Sequence, residues 1–345
     1  MKHRLLKFAA AGLLMLGLTA CGSRKPVLRI YNWAEYLSDE VIEAFEAEFN
    51  CRVIVDVFDS NEAMYAKLKA GGGGYDIVVP SSYQVVRMAR EGMLMELDHS
   101  LLPNLVNLDP LAEKFTQDPE HKYSVPYLIT SAVIGYRSDR LETSPDSWAV
   151  FADAAFRGRM TLLNDQRETL GAALKFLGYS LNTTNPEEIN AARDLLIRWK
   201  SNLAKFESEQ FKNGLMSAEF LVVHGYSSDL LQAIEEDDNI AIALPGEGLS
   251  IALDDLVILS DAPNPELAHA FINFLHRPEI AAENMEWVMA MSPNKAAYEL
   301  LDEDFKADER IFFSEAVFAK SETIFDLGED DQLYINAWNE IKTAP

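Results

Sequence analysis

Cysteine is nearly absent from this chain: Cys21 and Cys51 are the two among 345 residues. A disulfide framework is therefore excluded as the source of stability, and a fold of this size must rely on buried apolar surface. Positive charge is scarce as well, with 30 Lys and Arg against 55 Asp and Glu and a formal charge of −25. The deficit runs along the whole chain rather than in a tail. Such a field repels nucleic acid and favours cations, although a negative surface also simply keeps a protein soluble. Long hydrophobic runs are missing apart from Phe8 to Leu18, which is too short for a permanent span of the bilayer. There is no internal repeat, no low-complexity segment and no Gly-x-Ser-x-Gly elbow, so the rival reading of an exported hydrolase would rest on His224 with Ser227 or Ser228 alone.

The apolar run at the start follows Lys2, Arg4 and Lys7 and ends in Leu18-Thr19-Ala20-Cys21-Gly22. This reads as a signal peptide over 1–20 closed by a lipobox, with cleavage before Cys21, acylation of its thiol and a short tether over 21–26. Loss of the three basic residues takes the formal charge from −25 to −28. The remaining chain, roughly 325 residues, exceeds the size at which one core keeps growing, so two lobes are expected. Cys51 precedes the apolar Val53-Ile54-Val55 and reads as a small buried hydrophobe.

Leu28 to Tyr36 is the stretch around which the rest of the chain is organised. Leu28, Ile30 and Tyr31 suit a buried parallel strand, and Ser38-Asp39-Glu40 opens a helix with Val41, Ile42, Phe45 and Phe49 on one face. Trp33 and Tyr36 then stand at the carboxyl end of a strand, where open α/β sheets bind ligands; packing under the helix is the competing use. A strand over Arg52 to Phe58 and a helix capped by Ser60 come next, ended by Gly71 to Gly74. Those glycines make a turn rather than a phosphate loop, because Tyr75 to Val79 begins a strand where a Lys-Ser/Thr helix start would be needed. That strand delivers Ser81, Ser82 and Tyr83 to its own carboxyl end, before a helix near Gln84 to Arg90. These βα units predict a parallel sheet with helices on both faces. Further on, the pattern predicts strands over Ser131 to Tyr136, Met160 to Leu163, Glu219 to Val223 and Ala252 to Leu259. Helices are expected over Asp165 to Leu177, Pro186 to Lys200, Ala268 to Leu275 and Glu279 to Met289, with a last one carrying Tyr334, Ala337 and Trp338.

Read together, Tyr31-Asn32-Trp33-Ala34-Glu35-Tyr36, Ser60 to Lys69, Tyr75 to Tyr83 and Leu177-Gly178-Tyr179-Ser180-Leu181-Asn182-Thr183-Thr184-Asn185-Pro186 resemble the polyamine-binding protein family, the spermidine/putrescine-binding components of ABC importers. The resemblance runs from Leu28 to the C-terminal helix. It implies the α/β two-lobe periplasmic-binding-protein fold, type II, with discontinuous lobes joined by hinge strands near Thr130 and Asp254: 27–130 with 255–298, and 131–254 with 299–345. It further implies a binding protein with no chemistry and no cofactor of its own. Its partners would be a polyamine, a cognate permease with its ATPase and, through lipid, the membrane at the periplasmic or cell surface; a monomer is expected, with no nucleic-acid role.

A linear polyamine presents ammonium groups separated by methylenes, so its site must pair each buried cation and cover the methylenes with apolar or aromatic faces. Asp165 and Glu168 lie three apart at a helix start and share one face of its first turn, but Asp-x-x-Glu there is equally a capping box. The spacing leaves both roles open; the resemblance assigns the pair to the ligand. It likewise matches Asp254 to a carboxylate that holds an ammonium group, against an exposed acid at either Asp254 or Asp255. It matches Trp33, Tyr36 and Tyr83 to ligand contacts, and Ser208 to a polar one. Where the family places aromatics around the ligand, this chain has His224, Ala252 and Ala290, and Ile324 replaces a terminal amide. Each lost cation-π contact is worth about 1 to 2 kcal/mol. The thinner box implies weaker binding, a refilling neighbour such as Tyr226, or a solute-binding protein for a non-polyamine solute. His224 beside carboxylates raises a metal site, against which a lone histidine at an apolar strand end is ordinarily structural.

The lipobox reading has a direct test. A Cys21→Ser variant should be released in soluble form or accumulate unprocessed when cells are fractionated; normal processing with continued membrane attachment would defeat it.

Overall fold

The computed structural model describes residues 25–345, so the signal peptide and Cys21 lie outside the described residues. The first half is built from β1 (Val27–Trp33), α1 (Asp39–Phe49), β2 (Arg52–Phe58), α2 (Asn61–Lys69), β3 (Ile77–Val78) and α3 (Ser82–Arg90), and from there β4 (Ser124–Arg137) leads into the second half. That half holds β5 (Met160–Leu162), α4 (Gln166–Phe176), α5 (Pro186–Lys200), β6 (Leu203–Phe206), α6 (Phe211–Met216), β7 (Val222–Tyr226), α7 (Ser227–Glu236) and β8 (Ile240–Ala243). Strand β9 (Ile251–Ile258) returns to the first half and is followed by α8 (Pro265–Leu275) and α9 (Pro278–Val288); single turns α10 (Glu303–Lys306) and α11 (Glu315–Phe318) precede the closing helix α12 (Asp331–Thr343).

Local signals set many of these bounds. Ser60 accepts the Ala63 N–H (3.2 Å) and caps α2, Asn185 caps α5 ahead of Pro186, and Gly71 with φ +88 follows the end of α2. The strands alternate between two covered faces. Leu28, Ile30, Ile77 and Ile258 face a core under α1 and α8, whereas Tyr31, Val78 and Val257 face one under α2 and α3. The second half repeats the arrangement, with Val133 and Val223 on one face and Ile134 and Val222 on the other. Cys51 is buried in the first core as a free thiol.

The sheet order is β2-β1-β3-β9-β4-β7-β5-β6, with β8 also on β4. The expected parallel βα pairing holds for β1 with β2 and β3, and for β5 with β6 and β7. It fails at the centre, where β3/β9, β9/β4, β4/β7 and β4/β8 are all antiparallel. The reason is that within the sheet β4 carries the chain out of the first half and β9 carries it back. Strand β4 pairs with β9 over Ser124 to Ser131 and with β7 over Ala132 to Tyr136, so one 14-residue strand belongs to both halves. Two strands, β6 and β8, have no counterpart among the expected elements, and β7 runs to Tyr226 rather than ending at Val223.

Gly248 is the tightest turn feeding the return strand. Its φ of +97 lies outside the range of side-chain-bearing residues, and an added Cβ would run into the Lys320 carbonyl. Gly248→Ala should cost about 2 kcal/mol or more, read as a lower urea midpoint than wild type; an unchanged midpoint would show that the turn relaxes freely.

Candidate functional site

A cavity of about 710 Å³ opens where the two halves of the sheet meet. Its walls come from strand ends and helix starts: Trp33 at the end of β1 with Glu35 and Tyr36 just after it, Ser81 to Tyr83 at the start of α3, Asp165, Arg167 and Glu168 at the start of α4, Tyr226 at the end of β7, and Ala252 and Asp254 on β9. Seven of the eight residues expected at the site, Trp33, Tyr36, Tyr83, Asp165, Glu168, Ser208 and Asp254, line this one space.

His224 is the exception. It is fully buried, lies edge-on to Trp148 (4.9 Å between ring centroids), and is absent from the cleft wall. The expected strand ended at Val223 and so put His224 at its mouth. The strand continues to Tyr226, which takes that place; Tyr226 faces Trp33 at 6.1 Å and its hydroxyl donates to Asp165 (3.4 Å). Both ring nitrogens of His224 are without a hydrogen-bond partner among the described residues, so Ser227 and Ser228 are not activated by it, and burial depresses its pKa to about 3. No group of three His, Cys, Asp or Glu side chains converges as metal ligands among the described residues. Ala290 is also outside the cleft, buried in the first core, whereas Ala252 and Ile324 do line the cavity.

The carboxylates resolve the ambiguity left by their spacing. Asp165 is the N-cap of α4, one oxygen accepting the N–H groups of Arg167 (2.9 Å) and Glu168 (3.0 Å). Glu168 does not complete a capping box; its carboxylate turns to Ser250, whose hydroxyl donates to it. Asp254 accepts from the Tyr36 hydroxyl (2.6 Å) and from Ser81 (2.6 Å), which Asn61 positions in turn (3.0 Å). Neither member of the Asp254-Asp255 pair is exposed. Successive strand residues point to opposite faces, so Asp254 looks into the cleft and Asp255 lies in the interior with its carboxyl pushed well above the usual range by burial.

Sequence reasoning missed several wall residues. Asp229, Glu35 and Lys212 line the cavity, and Glu62, just behind the wall, accepts from the Tyr83 hydroxyl (3.4 Å). Arg167, 2% exposed at its side chain, bonds Asp331 (3.0 Å), Phe325 O (3.1 Å) and Asn182 (3.2 Å). The repeat of Asp and Glu at helix starts after strands was a usable signal for Glu62 and Asp229; nothing local marks Lys212.

The electrostatics are those of a site short of positive charge. Burial, then the Asp165 charge, raises Glu168 to about 8 and Glu62 to about 7, and burial raises Asp254 to about 6 despite its two hydroxyl donors. Asp165 is raised too, by burial, against the pull of its two helix N–H groups. Three polar atoms around the cleft, Trp33 Nε1, Ser131 Oγ and Arg167 Nε, have no partner among the described residues. A cation entering here would meet carboxylates that gain from ionising beside it, and aromatic faces on either side.

A family model described as bacterial extracellular solute-binding protein matches residues 40–312. That makes the chain a solute-binding protein, a transport component and not an enzyme. The spermidine/putrescine-binding periplasmic protein of Salmonella typhimurium is 36% identical over 338 residues, covering 97% of each chain. A putrescine/cadaverine-binding protein of Pseudomonas aeruginosa is 34% identical over 331 residues, covering 91% of this chain and 93% of its own. Among solved structures, a putative spermidine/putrescine ABC transporter from Listeria monocytogenes superposes with a TM-score of 0.87 at 35% identity, over 93% of this chain and 100% of its own. The TpPotD lipoprotein of Treponema pallidum superposes at 0.81 with 32% identity, over 91% and 99%. The chain belongs to the spermidine/putrescine-binding periplasmic protein family, and its fold is the α/β periplasmic-binding-protein fold of that family.

Because its folded pKa is raised above the unfolded value, Glu168 holds its proton more tightly when folded. It therefore opposes folding increasingly as pH rises from about 4 to about 8. Relative to wild type, ligand-free Glu168→Gln should gain stability across that window by about 2 kcal/mol, measured by urea unfolding at several pH values. A pH-independent difference would mean that Glu168 ionises normally.

Proposed function

We propose that this chain is the lipid-anchored substrate-binding component of a polyamine ABC importer, capturing putrescine or spermidine in the cleft and presenting it to a cognate permease and its ATPase. One observation carries the reading: Asp165, Glu168 and Asp254 converge in a buried cleft with their charge only partly offset by Arg167, between the aromatic faces of Trp33, Tyr36, Tyr83 and Tyr226. A polyamine supplies what is missing, ammonium groups for the carboxylates and methylenes for the rings. The names of the relatives support this ligand class, and the Treponema lipoprotein supports a tethered location at the periplasmic or cell surface, through Cys21.

The thinned aromatic box is partly refilled in this reading. Tyr226 stands where His224 was expected, so the aromatic loss within the cleft falls on Ala252, while Ile324 stands in place of an amide. The lobes would be 27–130 with 255–298 and 131–254 with 299–345, hinged on β4 and β9, with the ligand drawing them together. Contacts already link the two sides across the cleft, Tyr83 against Leu181 and Ile324 and Arg90 with Asp326 (3.0 Å).

A thermal-shift panel of putrescine, cadaverine, spermidine, spermine, amino acids and divalent metals tests the ligand class, because binding to the folded state raises the melting temperature by mass action. Polyamines should raise it and the others should not; a shift with amino acids or metals alone would favour a non-polyamine solute. Glu168→Gln and Asp254→Asn should each weaken the polyamine by about 2 to 5 kcal/mol in calorimetry, while Asp255→Asn leaves it unchanged. Small equal effects at Glu168 and Asp254 would place the cation elsewhere.

A further inference from the structure

Lys212 is a cation that the chain itself places among the acids of the cleft wall. It sits on α6 with its side chain 15% exposed, and its ammonium reaches Glu35 (3.0 Å), Gln232 (3.5 Å) and Glu236 (3.7 Å). Glu35, Asp229, Lys212 and Glu236 all line the same cavity as Asp165, Glu168 and Asp254. The two sets of acids have different strongest neighbours. The charges acting on Asp229 are Glu35 and Lys212, whereas those acting on Glu168 are Asp165, Arg167 and Asp254. Glu35 belongs to the loop after β1 and Lys212 to the second half, so their ion pair also spans the cleft.

The backbone shows that this contact is specified. Glu35 has φ +50, a left-handed conformation that a glutamate adopts only when its surroundings hold it there. Gln232 on α7 donates to the Glu35 carbonyl (3.4 Å) while Lys212 takes its carboxylate. Asp229 is raised to about 7 by burial and then by Glu35, and Lys212 is the charge that acts against that rise.

We propose that Lys212 acts as a built-in ammonium group that fills an additional cation subsite formed by Glu35, Asp229 and Glu236, and so sets how many ammonium groups the ligand may bring. With that subsite filled, the ligand's own cations are confined to Asp165, Glu168 and Asp254. The cleft then favours diamines over triamines and tetraamines, since a further ammonium group would be pressed against the lysine rather than against a carboxylate. Lys212 is thus a specificity-determining residue, and the inference rests on the reading of the cleft as a polyamine site.

Calorimetry of the full mature chain with putrescine and with spermidine tests it. Lys212→Met keeps most of the apolar stem and removes the charge, and should raise the ratio of spermidine to putrescine affinity at least fivefold. Lys212→Arg should keep the wild-type ratio, and adding Asp229→Asn to Lys212→Met should cancel most of the gain. A rise of less than fivefold in Lys212→Met, or the same rise in Lys212→Arg, overturns the proposal. If wild type binds putrescine but the ratio does not move, this inference alone fails. If wild type binds neither amine, the polyamine reading fails and takes this inference with it.

Discussion

The antiparallel pair of β4 and β9 is the constraint on which the molecule depends. These strands carry the chain from one half of the sheet to the other and back, and each hydrogen-bonds to strands on both sides of its own crossing. Their pairing forces the centre of the sheet to be antiparallel, although the flanking βα units are parallel. It also leaves the ends of β1, β3, β5 and β7 facing a common space. Asp254 sits on this pair opposite Leu128, so the carboxylate at the middle of the cleft is held by the element that joins the halves.

Concentrating acids in that space works against folding. Burial raises Glu168, Glu62 and Asp254 toward neutrality, and the chain supplies only partial relief through hydroxyl donors from Ser250, Tyr83, Tyr36 and Ser81. Arg167 is committed elsewhere, to Asp331, Asn182 and the Phe325 carbonyl. Such a site trades stability of the empty protein for affinity, because a cation that ionises the carboxylates recovers what burial withheld. Asp165 shows how one residue serves both ends, since capping α4 orients the carboxylate that also faces the cleft.

Much of the site was legible because its residues stand at strand ends and helix starts, where short-range patterns speak. The alternation of Leu28, Ile30 and Tyr31, the Ser60 cap and the Asp165-x-x-Glu168 spacing each reflect contacts within a few residues. His224 was misplaced because nothing within the strand says where its pairing stops; the partners that extend β7 to Tyr226 are Ala132 and Val133, about ninety residues away in sequence. Strands β6 and β8 escaped notice for the same reason, being short segments paired only through distant neighbours. An exposed acid was open at either Asp254 or Asp255, yet their strand is covered on both faces and both are buried.

By itself, the sequence determined the elements whose periodicity and caps are local, the absence of disulfide support, the acidic field, and the residue types from which a cation site is made. Tertiary structure decided which of those residues meet. The pairing of β4 with β9 brought Asp254 to Tyr36 and Ser81, the turn at Gly248 brought Ser250 to Glu168, and the meeting of the two halves brought Lys212 to Glu35. Each of these contacts joins residues more than eighty positions apart. They arise from strand register and core packing, which depend on the whole chain at once and leave no mark on any single stretch of it.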